Sequence, residues 1–195
     1  MIEPALALID FSSIAVGIEA ADAMVKRAEI GVIRAGTVQP GRYLVLIGGT
    51  VAEVQESLAA GREIGGDTVL DHVFLPHVHP EVVEAIGGGR VPQRSDALGV
   101  VETATVAAAI HAADAGIKGA DVRLVEIRLA DGLGGKGIVL YSGLVADVEA
   151  AVEIGAGVLE TRLLVREVVI PQLHAEMWEN VSDATRFSAR VLEGL

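Results

Sequence analysis

The segment Asp131-Gly132-Leu133-Gly134-Gly135-Lys136-Gly137 is the part of this 195-residue chain that most invites a chemical reading. Glycine-rich loops cradle phosphates when they follow the pattern G-x-x-x-x-G-K-[ST], whose closing hydroxyl holds a magnesium ion. Here Ala130 takes the place of the first glycine and Gly137 that of the hydroxyl. The segment also joins two expected strands, not a strand to a helix, so it reads as a structural turn. His72, His77 and His79 cluster at the end of another expected strand. Pro76 interrupts regular pairing there, and no acidic residue stands at a convincing spacing for zinc, which wants three or four converging ligands. Asp10 and Glu102 form a carboxylate pair, but they lie at the ends of two similar strands and read as caps or backbone partners. Ser12-Ser13 has no histidine at a spacing that would make a hydrolase triad. Trp178, the single tryptophan, reads as a packing anchor. The chain has no cysteine, which excludes disulfides, thiolate metal sites, cysteine-held iron–sulfur clusters and a thiol nucleophile. No catalytic residue, metal or cofactor is expected.

Composition narrows the partners. Fifteen Lys and Arg against 27 Asp and Glu leave a net charge of −12, which argues against a nucleic-acid surface. Hydrophobic residues make up 51% of the chain and charged ones 22%, so it folds. No apolar run reaches the roughly 18 residues a membrane helix requires. The start, Met1-Ile2-Glu3-Pro4, lacks the basic stretch of a secretory signal, so the expected location is cytoplasmic.

The positions that could matter come in pairs, because the chain is a duplication. Ala5–Ala28 set over Ala97–Ala120 gives ten identities in 24 positions. Most are alanine, but Asp22 meets Asp114 and Lys26 meets Lys118. Downstream the offset grows from 92 to 94, and Gly41-Arg42 falls on Gly135-Lys136. At an offset of 95, Leu75-Pro76 meets Ile170-Pro171 and His79 meets His174. All three lysines thus occupy repeat-related basic positions. Gly87–Asp96 reads as the linker, dividing the chain into a domain of residues 1–90 and one of residues 91–195.

Each copy predicts the same elements. An apolar run, Ala5–Ile9 or Ala97–Val101, ends in an acid and reads as a buried strand. Ser12-Ser13 and Thr103–Thr105 supply caps for helices whose narrow stripes are Ile14, Ile18, Ala21, Val25 and Val106, Ile110, Ala113, Ile117. Strands follow at Ile30–Ile33 and Tyr43–Ile47, and at Val122–Ile127 and Ile138–Tyr141. Thr50 and Glu53 form a capping box at the next helix. A fourth strand, Val69–Leu75 or Leu163–Ile170, ends at a proline. A short helix, Pro80–Ile86 or Ala175–Val181, closes each copy. The expected class is α+β, with helices on one side of an antiparallel sheet, a ferredoxin-like variant built twice.

The residues also carry a family likeness. Ile14–Lys26 resembles the first helix of bacterial microcompartment shell proteins, and Ala97–Thr103 their opening strand. Val38-Gln39-Pro40-Gly41-Arg42-Tyr43 and Gly132-Leu133-Gly134-Gly135-Lys136 are similar to their pore loops. Ile170-Pro171-Gln172-Leu173-His174-Ala175-Glu176-Met177-Trp178 resembles the end of the second domain in the tandem-domain branch found in propanediol-utilising compartments. The resemblance implies two shell domains in one chain, a homotrimer that imitates a hexagon, and tiling with other hexameric and pentameric shell proteins. It implies a pore for small metabolites or cofactors, lined by Val38, Gln39, Pro40, Asp131, Gly132, Leu133, Gly134 and Gly135. It also places Lys26, Lys118, His79 and His174 at edges between tiles. Some members of the branch hold an iron–sulfur cluster through a cysteine where this chain has Gln39, so simple passage is expected here. A metabolite-binding regulatory module, or an enzyme with a site at the domain junction, remains the alternative from the residues alone.

Overall fold

Ala5–Phe11 (β1) is buried along its whole length, which means that both faces of the first sheet are covered at its centre. The structure, a computed structural model, describes residues 5–90, 94–183 and 185. Met1–Pro4 and Val91–Gln93 of the expected linker lie outside the described residues. After β1 come Ile14–Arg27 (α1), Val32–Val38 (β2), Arg42–Gly49 (β3) and Val51–Gly65 (α2). A single 3-10 turn at Gly66–Thr68 leads into Val69–Leu75 (β4), and Pro80–Ile86 (α3) closes the half. The second half repeats the order with Ala97–Thr103 (β5), Val106–Gly119 (α4), Arg123–Leu129 (β6), Gly137–Gly143 (β7), Val145–Gly157 (α5), Leu164–Pro171 (β8) and Ala175–Asp183 (α6). Strand orders are β2-β3-β1-β4 and β6-β7-β5-β8, antiparallel throughout.

Local chemistry sets the helix starts. Ser13 and Thr105 accept the N–H of Val16 and Ala108 and so cap α1 and α4. Thr50 and Glu53 complete the capping box of α2, and those hydrogen bonds hold the Glu53 carboxyl below its ordinary pKa. α5 has Leu144 at the same place and no side-chain cap.

Two details differ from the sequence reading. β2 runs from Val32 to Val38 instead of stopping at Ile33, because β3 pairs with it through the polar stretch Arg34–Thr37. An edge strand with one side in solvent tolerates such residues. The helices also occupy both faces of each sheet. α1 and α2 cover Ala5, Ala7, Ile9 and Phe11, whereas α3 meets the alternate face, where Leu6 and Leu8 are equally apolar. Period-two alternation assigns the two sets to opposite faces, and neither set can be left wet.

The halves meet along α4. Ten of its fourteen residues are buried, against four of α1, because α4 packs on its own sheet and also against β4 of the first half. Inside the second half α4 packs against α5. Tyr141 threads between them and donates its hydroxyl to the Ala112 carbonyl at 2.7 Å. A Cβ at Gly116 would come 2.5 Å from that hydroxyl and 2.8 Å from the Ala151 carbonyl oxygen. Alanine normally stabilises a helix interior over glycine by about 1 kcal/mol. Gly116→Ala should do the reverse and cost roughly 1–3 kcal/mol, read as a lower melting temperature with unchanged helix content.

Candidate functional site

Two hairpin loops come together where the halves meet. The first, Gln39–Gly41, turns between β2 and β3 through a cis Gln39–Pro40 bond, with Gly41 at φ 98°. The second, Ala130–Lys136, carries three glycines at positive φ, namely Gly132, Gly134 and Gly135. Between the repeat-equivalent pairs Thr37–Tyr43 and Leu129–Gly137 lie five and seven residues, so the second connection is longer by two, and Val38–Arg42 pair as well in the first. Its amides turn inward. Ala130 and Lys136 donate to the carbonyls of Lys136 and Leu133, and Leu133 to that of Ala130. Those amides are unavailable to a phosphate, which agrees with the failed sequence pattern.

Arg42 ties the loops to each other. Its Nη1 donates to the Gly135 carbonyl at 3.3 Å and to Asp10 Oδ2 at 3.1 Å. The repeat builds the same pair again, with Lys136 Nζ on Glu102 Oε1 at 2.7 Å. Asp10 lies opposite Leu44 and Glu102 opposite Ile138, so each cation reaches its acid diagonally, two residues along the adjacent strand. The expectation that Asp10 and Glu102 cap or pair with backbone is therefore corrected. Each is the anion of an ion pair, and the two cations, Arg42 and Lys136, are themselves repeat-related.

Asp10 is fully buried and its Oδ1 has no hydrogen-bond partner among the described residues. Burial pushes its carboxyl up to about 6, against the pull of Arg42, and neighbouring Asp71 adds to the rise. Asp71 faces Asp10 across the β1–β4 ladder and accepts a hydrogen bond from the Thr105 hydroxyl at the start of α4. Two carboxylates thus neighbour each other beneath the paired loops, Asp10 held by Arg42 and Asp71 by the Thr105 hydroxyl and the His72 N–H.

The other expected positions separate into two environments. Lys118 donates to Asp114 Oδ2 at 2.5 Å and to the His77 carbonyl, and the His79 N–H donates to Asp114 Oδ1 at 2.8 Å. His79 also caps α3 through Nδ1. This cluster clasps the β4–α3 turn of the first half to α4 of the second. The repeat-related Lys26 pairs with Asp22 at 2.5 Å, but both are exposed, as is His174. The clasp was missed from the sequence, although Asp22 and Asp114 each stand four residues before their lysine, the spacing of a helical ion pair. The three histidines do not converge: among the described residues no group of three or more His, Cys, Asp or Glu could hold a metal. No helix among those residues is long and apolar enough to cross a membrane.

The profile of the BMC domain matches twice, at residues 5–78 and 97–173. The chain belongs to the BMC-domain family. It is 39% identical over 178 residues to the bacterial microcompartment shell protein PduT of Citrobacter freundii, covering 91% of this chain and 97% of that one. The carboxysome shell protein CcmK2 of Thermosynechococcus vestitus is 36% identical over 85 residues, which are 40% of this chain but 83% of that protein. A single repeat here therefore corresponds to most of a whole relative. A microcompartment protein of Desulfitobacterium hafniense superposes with a TM-score of 0.78 at 44% identity, covering 91% of this chain and 99% of that structure. The chain is thus a tandem-domain microcompartment shell protein.

Asp10 makes the junction sensitive to acid in a defined direction. Its folded pKa, about 6, exceeds the ordinary 3.8, so the folded chain holds the extra proton between those values. Its contribution to stability therefore grows as pH falls from about 6 to about 4. In urea titrations the stability of the wild type relative to Asp10→Asn should rise by roughly 2–3 kcal/mol between pH 7 and pH 4. A difference that stays constant over that range contradicts the assignment.

Proposed function

We propose that three copies of this chain close into a ring of six BMC domains, a facet tile whose central pore is lined by the two hairpin loops. One observation carries the reading. Residues buried at the junction inside the chain have repeat counterparts that are exposed on its outer flanks. On α4, Ile110 is 0% exposed and its α1 counterpart Ile18 is 53% exposed. On α3, Val82 is 0% exposed and its α6 counterpart Met177 is 52% exposed. Val73 and Leu75 of β4 are buried, whereas Val168 and Ile170 of β8 are exposed.

The flanks are complementary halves of a junction that already exists once. β8 and α6 of one copy correspond to β4 and α3, and α1 of the next copy corresponds to α4. Joining them repeats the internal contact and buries these side chains, each worth roughly 1.5–3 kcal/mol when fully covered. The exposed Asp22–Lys26 pair would then receive the Gln172 carbonyl and the His174 N–H, as Asp114 and Lys118 receive His77 and His79. A two-domain chain with an unsatisfied flank at each end closes on itself, and closed rings are the usual outcome for such head-to-tail contacts. Three chains give six domains.

The loops lead toward the axis of such a ring, with Val38, Gln39 and Pro40 alternating with Asp131, Gly132, Leu133, Gly134 and Gly135. Glycine lets backbone approach an axis that side chains would crowd. With Gln39 where some relatives have a cysteine ligand, the pore serves passage of small polar metabolites. Lys26, Lys118, His79 and His174 sit beside each domain junction, and Lys26 and Lys118 keep enough exposure to meet an adjacent hexameric or pentameric tile.

Light scattering should give about three times the 20.2 kDa chain mass at micromolar concentration. The double variant Ile18→Asp with Met177→Asp changes two exposed positions and should yield folded monomers. A wild-type monomer, or a variant that still trimerises, overturns the ring. For the pore, Gly134→Phe should slow solute exchange into assembled shells several-fold while leaving the trimer mass unchanged. Unaltered exchange removes the second loop from the pore.

A further inference from the structure

The two halves treat the same sheet face differently. In the second half Trp178, on α6, lies over Leu98, Val125 and Leu140 and is nearly buried. The repeat counterparts of Leu98, Leu140 and Trp178 in the first half are Leu6, Leu46 and Val83. Where the indole stands in one half, the other leaves an apolar groove of about 610 Å³, lined by Leu6, Leu8, Leu44, Leu46 and Val83 and closed at one side by Leu129. The fold itself therefore displays what this face accepts: a flat aromatic ring of indole size. A cavity of these dimensions and lining is of the kind that holds small ligands.

The mouth of the groove differs as well. At this position of the second half stands Glu126, held by Arg90 and by the Thr185 hydroxyl. Its counterpart in the first half is Arg34, which lines the groove and donates to the neighbouring Ile33 carbonyl. Among the described residues Arg34 has no acidic partner, in a chain that carries a net charge of −12. An unpaired guanidinium at the edge of an apolar slot favours an anionic substituent on whatever fills it.

We infer that the groove of the first half is a binding site for a small planar aromatic acid, its ring in the place that Trp178 takes in the second half and its anionic group on Arg34. The ligand would touch the roots of both loops, since Val38 and Leu129 line the groove and are the last strand residues before them. All the residues that line the site belong to one chain.

Titrating the intact protein with anilinonaphthalene sulfonate tests this. One probe should bind per chain with enhanced fluorescence. Val83→Trp, which copies the plug of the second half, should weaken binding by about tenfold or more. Arg34→Glu should weaken the sulfonate several-fold but leave neutral indole unaffected. A Val83→Trp protein with native melting behaviour and an unchanged titration overturns the site. Should that variant fail to fold, methyl NMR of the wild type decides. Indole acetate must shift the methyls of Leu6, Leu8 and Leu46, and unshifted signals refute the inference.

Discussion

The contact of α4 with β4 is the constraint from which the rest of the molecule follows. β4 is the last strand of the first sheet, and a sheet edge left open invites unwanted pairing. The second half lays α4 against it, and Val106, Ala107, Ile110 and Asp114 are buried there whereas their α1 counterparts Ile14, Ala15, Ile18 and Asp22 are exposed. Asp114, almost fully buried, is tolerable only because Lys118 and the His79 N–H both satisfy it. Once that helix is seated, β6 and β7 are placed too, and their loop arrives within reach of Arg42. The meeting of the two hairpins is thus a result of helix packing some distance away.

Much of this was legible in the residues. The order of elements along the chain, the caps at Ser13, Thr105 and Thr50, and the repeat-related lysines follow from periodicity and from short alignments of the chain with itself. The extent of β2 did not, because an edge strand is specified by its neighbour's backbone more than by its own side chains. The layering was misjudged for a related reason. In Ala-Leu-Ala-Leu-Ile both faces are apolar, and alternation stops distinguishing a covered face from a free one. The ion pairs beneath the loops were hidden because each acid and its cation are far apart in sequence. Only the ladder register brings Asp10 beside Arg42 and Glu102 beside Lys136.

Duplication has been followed by division of labour. The second half carries the tryptophan plug, the longer glycine loop and the doubly packed helix. The first has the open groove, Arg34 with no acidic partner among the described residues, and the capping box on α2. The exposed residues on α1, β8 and α6 are the repeat counterparts of the internal junction.

The covalent connection from α3 to β5 has a consequence for the order in which contacts form. Two surfaces joined by a short linker meet at an effective concentration in the millimolar range, whatever the amount of protein present. The α4–β4 junction therefore forms during folding of each chain and tolerates weak chemistry. In the proposed ring its counterparts on the outer flanks have no such tether and would respond to dilution. The same substitution placed at Asp114 and at Asp22 would act in the first case on the folding of one chain, and in the second on an encounter between two.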